Sequence, residues 1–379
     1  MVLYKLIQEY RRSRESGSTL TLLNHDWNPM VTFKAIRESE KNPIQYIHYA
    51  IIFIVFAFVL YLIPVPAVVK LAIPAVLLVL VIVPITSQFF NYALPVLGWV
   101  ALFFSSKFIP LQLRPPITVK VLPGMETILY GENLSQLLAS YSSTFLDVLA
   151  WIPYGILHFS LPFVVAALIF LFAPPKTLRL YSFTFGYMNL VGVIIQNLLF
   201  ACAPPWYKVL HGLEKANYSM KGSPGGLARI DKILGIDMYT SAFTNSPLIF
   251  GALPSLHSAC ASLDALWLCY LFPRFAPLWC VYVCWLWFST MYLTHHYFFD
   301  LTFGCSLAIA AFYSAKLAGK LAINNKFCRW SYDQLDLFDP IKEDPLVTDN
   351  SFLIEDDLDV DDDVLFDDTS IEMRDMSTA

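Results

Sequence analysis

Eight hydrophobic stretches alternate with polar connections along the chain, at about 46–63, 67–86, 89–105, 147–172, 180–202, 254–272, 278–295 and 300–318. A helix needs roughly 20 mostly apolar residues to cross the hydrocarbon core of a bilayer. The pattern therefore predicts an all-α polytopic membrane protein of about eight spans, or six if the proline-rich stretch 64–105 does not cross fully. Either even number puts both termini on one side. Residues 1–45 are polar and of mixed charge, with no cleavable leader in view, so the first span is expected to serve as the insertion signal. The expected division is an N-terminal segment 1–45, a transmembrane domain 46–320 and a tail 321–379.

Composition agrees with this division and excludes a soluble enzyme. Of 379 residues, 57% are hydrophobic and only 15% charged, against roughly 25% charged in soluble domains. The net charge of −5 hides two regions of opposite sign. Residues 331–379 carry 17 acidic and 2 basic side chains, leaving a body of balance +10. A tail containing Glu355-Asp356-Asp357 and Asp361-Asp362-Asp363 is too charged to collapse and is expected to be disordered. Short-loop cations set the orientation: Lys176, Arg179, Arg274 and Lys316, with seven Lys and Arg before the first run, fall on one side. The positive-inside rule makes that side cytoplasmic, and both termini with it. The opposite loop 203–252 also holds five cations, which suit an anionic substrate. The sequons Asn133-Leu134-Ser135 and Asn217-Tyr218-Ser219 fall on that opposite side.

Candidate chemistry concentrates in two segments. Pro254-Ser255-Leu256-His257 opens the sixth run, and His295-His296-Tyr297-Phe298-Phe299-Asp300 fills the turn between the last two. Two crossings separate His257 from His296, so both return to one membrane face. His296 and Asp300 stand four residues apart, which places a carboxylate one helical turn from the imidazole. A carboxylate on one ring nitrogen fixes the tautomer and leaves the other nitrogen a better base or nucleophile. His257 is the opposed acid. Ser255 and the free amides of the helix start suit a phosphoryl oxygen. His295 lacks the carboxylate spacing and is assigned to structure. Asp147, His158, Asn189, Gln196 and Asn197, at apolar depth, suit either a substrate pocket or interhelical hydrogen bonds. The Gly222–Gly226 loop reads equally as a bend around a phosphate or as an open turn. No set of ligands with Mg²⁺ or Zn²⁺ spacing is present in these segments, so neither metal nor cofactor is expected, nor a nucleic-acid partner.

At these residues the chain resembles the type 2 phosphatidic acid phosphatase superfamily. Its Pro-Ser-Gly-His signature is matched by Pro254–His257 with Leu256 for Gly. Its Ser-Arg…His…Asp signature is matched by Ser289, His296 and Asp300, with Thr290 where the Arg belongs. The Lys…Arg-Pro signature occurs as Lys107…Arg114-Pro115, two spans upstream of its usual place. At the expected place, loop 203–252, Lys208 and Arg229 are the candidate phosphate clamps. Longer stretches, including 114–120 with Arg114 and Lys120, 203–208, 222–231 and 291–297, are similar to the fungal inositol phosphorylceramide synthases. That resemblance implies a six-helix lipid-phosphatase-like core with extra N-terminal helices. It also implies transfer of phosphoinositol from phosphatidylinositol to ceramide at a lumenal Golgi site, and a small regulatory membrane subunit. A lipid-phosphate phosphatase, and a transporter or receptor with a His/Asp relay, are the competing readings. Nucleophilic and general-base roles for His296 both remain open at this level.

Overall fold

The computed structural model describes residues 26–38, 43–173 and 177–318. The acidic tail, Lys176 and most of the N-terminal segment lie outside them. An amphipathic helix α1 (Pro29–Glu38) precedes three apolar helices, α2 (Pro43–Leu62), α3 (Ala67–Ile82) and α4 (Pro84–Ser105). Short helices α5 (Val121–Tyr130) and α6 (Leu134–Ser140) follow. Next, α7 (Thr144–Trp151) runs through a π-helical turn, Ile152–Leu157, into α8 (His158–Phe172). Helix α9 (Thr177–Ile194) likewise ends in a π turn, Ile195–Leu199. Three small helices, α10 (Pro205–His211), α11 (Leu227–Leu234) and α12 (Tyr239–Thr244), fold loop 203–252, and α13 (Leu256–Leu271), α14 (Ala276–Tyr292) and α15 (Phe298–Ala318) complete the chain.

Six of these helices are long and apolar enough to cross a bilayer. Runs 67–86 and 254–272 fall short of the eight expected spans, because each yields a helix of 16 residues. That is about 24 Å of helix against a core of about 30 Å. The first is cut short where Pro84, which cannot donate, starts α4 afresh. The second starts late because Ser255 is extended and the helix begins only after the Ser255 cap. Helix α13 is the inner member of the bundle. It packs against α15, α14, α8 and α9, burying Ala259, Leu263 and Trp267 among Ile169, Tyr181 and Phe312. A helix enclosed by protein needs no full-length lipid-facing stripe.

Small residues let the helices close. A Cβ on Gly186 of α9 would strike the α4 backbone at Pro95–Val96, and one on Gly304 of α15 would strike the Ser255 carbonyl. Such contacts are how apolar helices pack where lipid offers no hydrophobic drive. At one end of the bundle, β1 (Ile117–Thr118) pairs in parallel with β2 (Ala201–Cys202), and Cys202 bridges to Gly251. These pairings gather loops 106–120, 200–204 and 246–252 over the start of α13. The start of α15 lies beside it. At the other end, Ile85 at the head of α4 donates to the Asp26 carbonyl.

Candidate active site

The site is built where three chain reversals meet. Ser255 caps α13: its hydroxyl accepts from the Ser258 amide at 3.3 Å, and the side chain is fully buried. The Ser255 amide donates to the Asp300 carbonyl at 3.1 Å, and the Ser258 hydroxyl to the Leu301 carbonyl at 2.7 Å. Those bonds align the heads of α13 and α15. Between α14 and α15 the chain turns through Thr294, which is held at φ 63°. A β-branched residue in the left-handed region is costly and persists only where surrounding contacts impose it. Here the Thr294 carbonyl accepts from the Trp206 amide, and the Thr290 carbonyl collects the amides of His295 and His296.

This turn delivers His296 between two partners. Its Nδ1 lies 3.2 Å from Asp300 Oδ2, and its Nε2 lies 3.0 Å from His257 Nδ1. With Asp300 as a carboxylate, the tautomers follow from the network. Nδ1 of His296 carries the proton given to Asp300, Nε2 is bare, and His257 Nδ1–H donates to it. Burial pushes the His296 imidazole down to about 3, so the ring is neutral at physiological pH. His295 is also held near 3 by burial. Its Nε2 donates to the Pro224 carbonyl at 3.0 Å, an anchoring role in keeping with its assignment to structure.

A half-open cleft of about 100 Å³ reaches the two paired histidines. Tyr154, Trp206, Ser223 and Phe243 form part of its wall, which contains no lysine or arginine among the described residues. The sequence-derived clamp candidates lie elsewhere. Arg229 grips Asp147 through Nε at 2.8 Å and Nη2 at 2.6 Å, and that bond holds its pKa above the usual value. Tyr292 donates to the same Asp147 oxygen at 2.8 Å. Arg114 spends Nε and Nη2 on the Ile109 and Ser106 carbonyls and lies over the Tyr218 ring. With Lys107 it lines a second cavity that shares Ser246, Leu248 and Ile249 with the first. Lys120 stands exposed at the head of α5, and Lys208 is half-buried on α10.

The glycine loop rests against the 293–297 turn. Gly225 has φ 52°, a Cβ there would meet the Leu293 carbonyl, and the Gly226 amide donates to that carbonyl. Asn133 of the first sequon is buried and caps α6 through Gln136, whereas Asn217 of the second is exposed. Among the described residues, no three His, Cys, Asp or Glu side chains are grouped to hold a metal ion.

Three further residues join the site. Tyr154, in the first π turn, stacks on His257 at 4.7 Å and on His295 at 5.2 Å. Gln196, in the second, donates to the Gly251 and Pro254 carbonyls that lead into α13. A π turn displaces one residue from the 3.6 period, so no periodicity in the run flags Tyr154. Glu126 is fully buried behind α15. An acid in the weakly amphipathic stretch 121–130 was the one available hint.

These elements define a membrane protein of the PAP2 superfamily, whose family model matches residues 126–314. The chain is 52% identical over 347 residues to an inositol phosphorylceramide synthase of Candida albicans, covering 90% of this chain and 73% of that one. It is 51% identical over 325 residues to the catalytic subunit of the Saccharomyces cerevisiae inositol phosphorylceramide synthase, covering 86% and 81%. A phosphoinositol dihydroceramide synthase of Bacteroides thetaiotaomicron is 27% identical over 163 residues, covering 42% and 50%. No solved structure matches. The chain belongs to the inositol phosphorylceramide synthase family.

Proposed function

We propose that the protein transfers phosphoinositol from phosphatidylinositol to ceramide, giving inositol phosphorylceramide and diacylglycerol. The observation that carries the chemistry is the bonded series His257–His296–Asp300, at 3.0 and 3.2 Å, facing a half-open cleft. In the covalent route the donor phosphate enters where His257 now meets His296. The bare Nε2 of His296 attacks phosphorus, the bond to the diacylglycerol oxygen breaks, and His257, which takes up a proton to become an imidazolium beside the bound anionic phosphodiester, supplies that oxygen with a proton. Asp300 stabilises the imidazolium formed on His296. The ceramide hydroxyl then attacks the phosphohistidine, gives its proton to the now basic His257, and returns the electron pair to Nε2. Ser255 caps α13 through a lone pair of its hydroxyl oxygen, which leaves the O–H to donate, so it joins the amides at the head of that helix as a ligand for the phosphoryl oxygen.

The apolar side chains of the cleft wall, Tyr154, Trp206, Phe243 and Ile249, favour a lipid alcohol as acceptor over water, because they offer apolar surface to its chains. We assign the site to the lumenal side of a Golgi membrane, with residues 1–45 and 321–379 cytoplasmic and 46–320 catalytic. Arg179, Arg274 and Lys316 at the opposite end of the bundle support that orientation. A small regulatory membrane subunit has ample apolar surface to meet on α2 and α3, where Phe53, Tyr61 and Leu71 are exposed. The test is purified protein in vesicles with head-group-labelled phosphatidylinositol, with and without ceramide. Labelled inositol phosphorylceramide formed only with ceramide is expected. Release of soluble inositol phosphate at the same rate without ceramide makes water the acceptor and the protein a lipid hydrolase, and no turnover of any kind overturns the enzymatic reading.

A further inference from the structure

We propose that Glu126 is a positioning residue of this transfer, holding the head of α15 so that Asp300 stands behind His296. The inference rests on the reading of His296 and Asp300 as the reacting pair. Glu126 lies on α5, fully buried, and contacts neither histidine. Its two oxygens serve two helices. Oε1 accepts from the Phe298 amide at 2.6 Å, and Oε2 from the Leu134 amide at 3.1 Å. Phe298 opens α15 and sits midway between His296 and Asp300.

A helix head leaves its first amides unpaired and carries partial positive charge, so a carboxylate there is held strongly and holds strongly. Neutral caps serve the same need elsewhere in this chain, Asn133 on α6 and Ser255 on α13. Burying a charge where a neutral cap suffices is expensive, so the stronger bond answers a tighter demand. That demand is visible next door. The His296–Asp300 bond of 3.2 Å is already long for a charge-assisted contact, and a small slide of α15 breaks it. The Ser255 and Ser258 bonds fix the α13 side of the same turn, and Glu126 fixes the α5 side.

Glu126 faces the Asp300 carboxyl and the Tyr297 hydroxyl from the α15 side, the Leu134 amide from α6 and the Lys208 ammonium from α10. Burial raises it to about 6, the Phe298 and Leu134 amides and Lys208 pull the other way, and Asp300 adds to the rise. As pH falls through about 6 the carboxylate takes a proton and loosens its hold, so turnover contributed by this residue is lost on the acid side.

The experiment compares full-length wild type, Glu126→Gln and Asn133→Ala in the vesicle assay. Asn133→Ala uncaps α6 without touching α15. Glu126→Gln is expected to lower kcat about 10- to 100-fold, the penalty for a misplacement near 1 Å, with KM for both lipids unchanged. Asn133→Ala is expected to keep kcat within about threefold, and the acid limb near pH 6 to vanish in Glu126→Gln. Wild-type kcat in folded Glu126→Gln, or equal losses in the two variants, overturns the role. If Glu126→Gln does not fold, a wild-type profile flat through pH 6 overturns it and a limb there supports it. Labelled histidine ¹⁵N spectra supply a readout that needs no turnover. His296 should leave its Nδ1-protonated form in Glu126→Gln, and an unchanged signal refutes the positioning. Failure of wild type to make inositol phosphorylceramide would overturn the proposed function alone.

Discussion

At His296 three requirements meet in one ring: a neutral imidazole, a fixed tautomer and a partner able to return a proton. Burial supplies the first, Asp300 at 3.2 Å the second and His257 at 3.0 Å the third. Because each ring nitrogen depends on a neighbour, the three side chains act as one unit and their losses should not add. His257→Ala and His296→Ala are each expected to lower turnover at least about a thousandfold, as for members of catalytic triads. Asp300→Asn should be severe but milder, since the attacking nitrogen survives. The double variant His296→Ala/Asp300→Asn should match His296→Ala within experimental scatter. Steady-state assays of folded, purified variants check all four, and normal turnover in His296→Ala would end the scheme. If His296 is the nucleophile, initial rates with both lipids varied give parallel double-reciprocal lines.

Between helices, the site depends on close approach and on one half-buried ion pair. Gly304 allows α15 to lie against the cap of α13, where any Cβ would meet the Ser255 carbonyl. Backbone cannot yield as a side chain tip can, so Gly304→Ala should push α15 away and carry Asp300 with it. Turnover should fall about 100-fold, while Gly124→Ala, at a position with open space, should leave it unchanged. The Arg229–Asp147 pair ties α11 to α7, with Tyr292 of α14 completing the junction. Its partners are unequal, since the Arg229 side chain is 37% exposed and that of Asp147 only 5%. Removing the arginine strands a buried carboxylate, a loss of about 3 kcal/mol, whereas removing the acid leaves a cation that water can reach. Arg229→Ala is therefore expected to lower the thermal midpoint in detergent more than Asp147→Asn does. The reverse order would show that Arg229 is stabilised chiefly by something other than this pair.

Across the whole molecule, loops 106–120, 200–252 and 293–297 collect at one end, while Arg179, Arg274 and Lys316 lie at the other. If the proposed sidedness holds, Asn217 is open to glycan transfer in the lumen and Asn133, buried in its cap, is not. A fungal-expressed protein should lose mass on endoglycosidase treatment, and Asn217→Gln should abolish that loss while Asn133→Gln does not. A glycan on Asn133 would contradict the burial, and an unmodified Asn217 would count against the lumenal assignment.

The membrane class, the return of His257 and His296 to one face, and the Asp300 spacing were all legible along the chain. Each depends on local periodicity or on the parity of crossings, which a one-dimensional pattern carries. The number of full-length helices was less legible, because a hydropathy run does not tell a lipid-facing span from an enclosed one such as α13. The phosphate-clamp assignments had the same weakness. Lys208, Arg229, Arg114 and Lys120 are cations in the right loops, but whether a cation faces a cavity or a carboxylate depends on residues far away in sequence. Asp147 claims Arg229 across 82 positions, and Glu126 reaches Phe298 across 172. Tyr154 and Gln196 are aimed by π turns that leave no periodic trace. The sequence by itself therefore determined the membrane class and the set His257, His296 and Asp300 that the fold brings together. Only the tertiary structure decided what holds them in register, because those bonds join elements that only folding brings together.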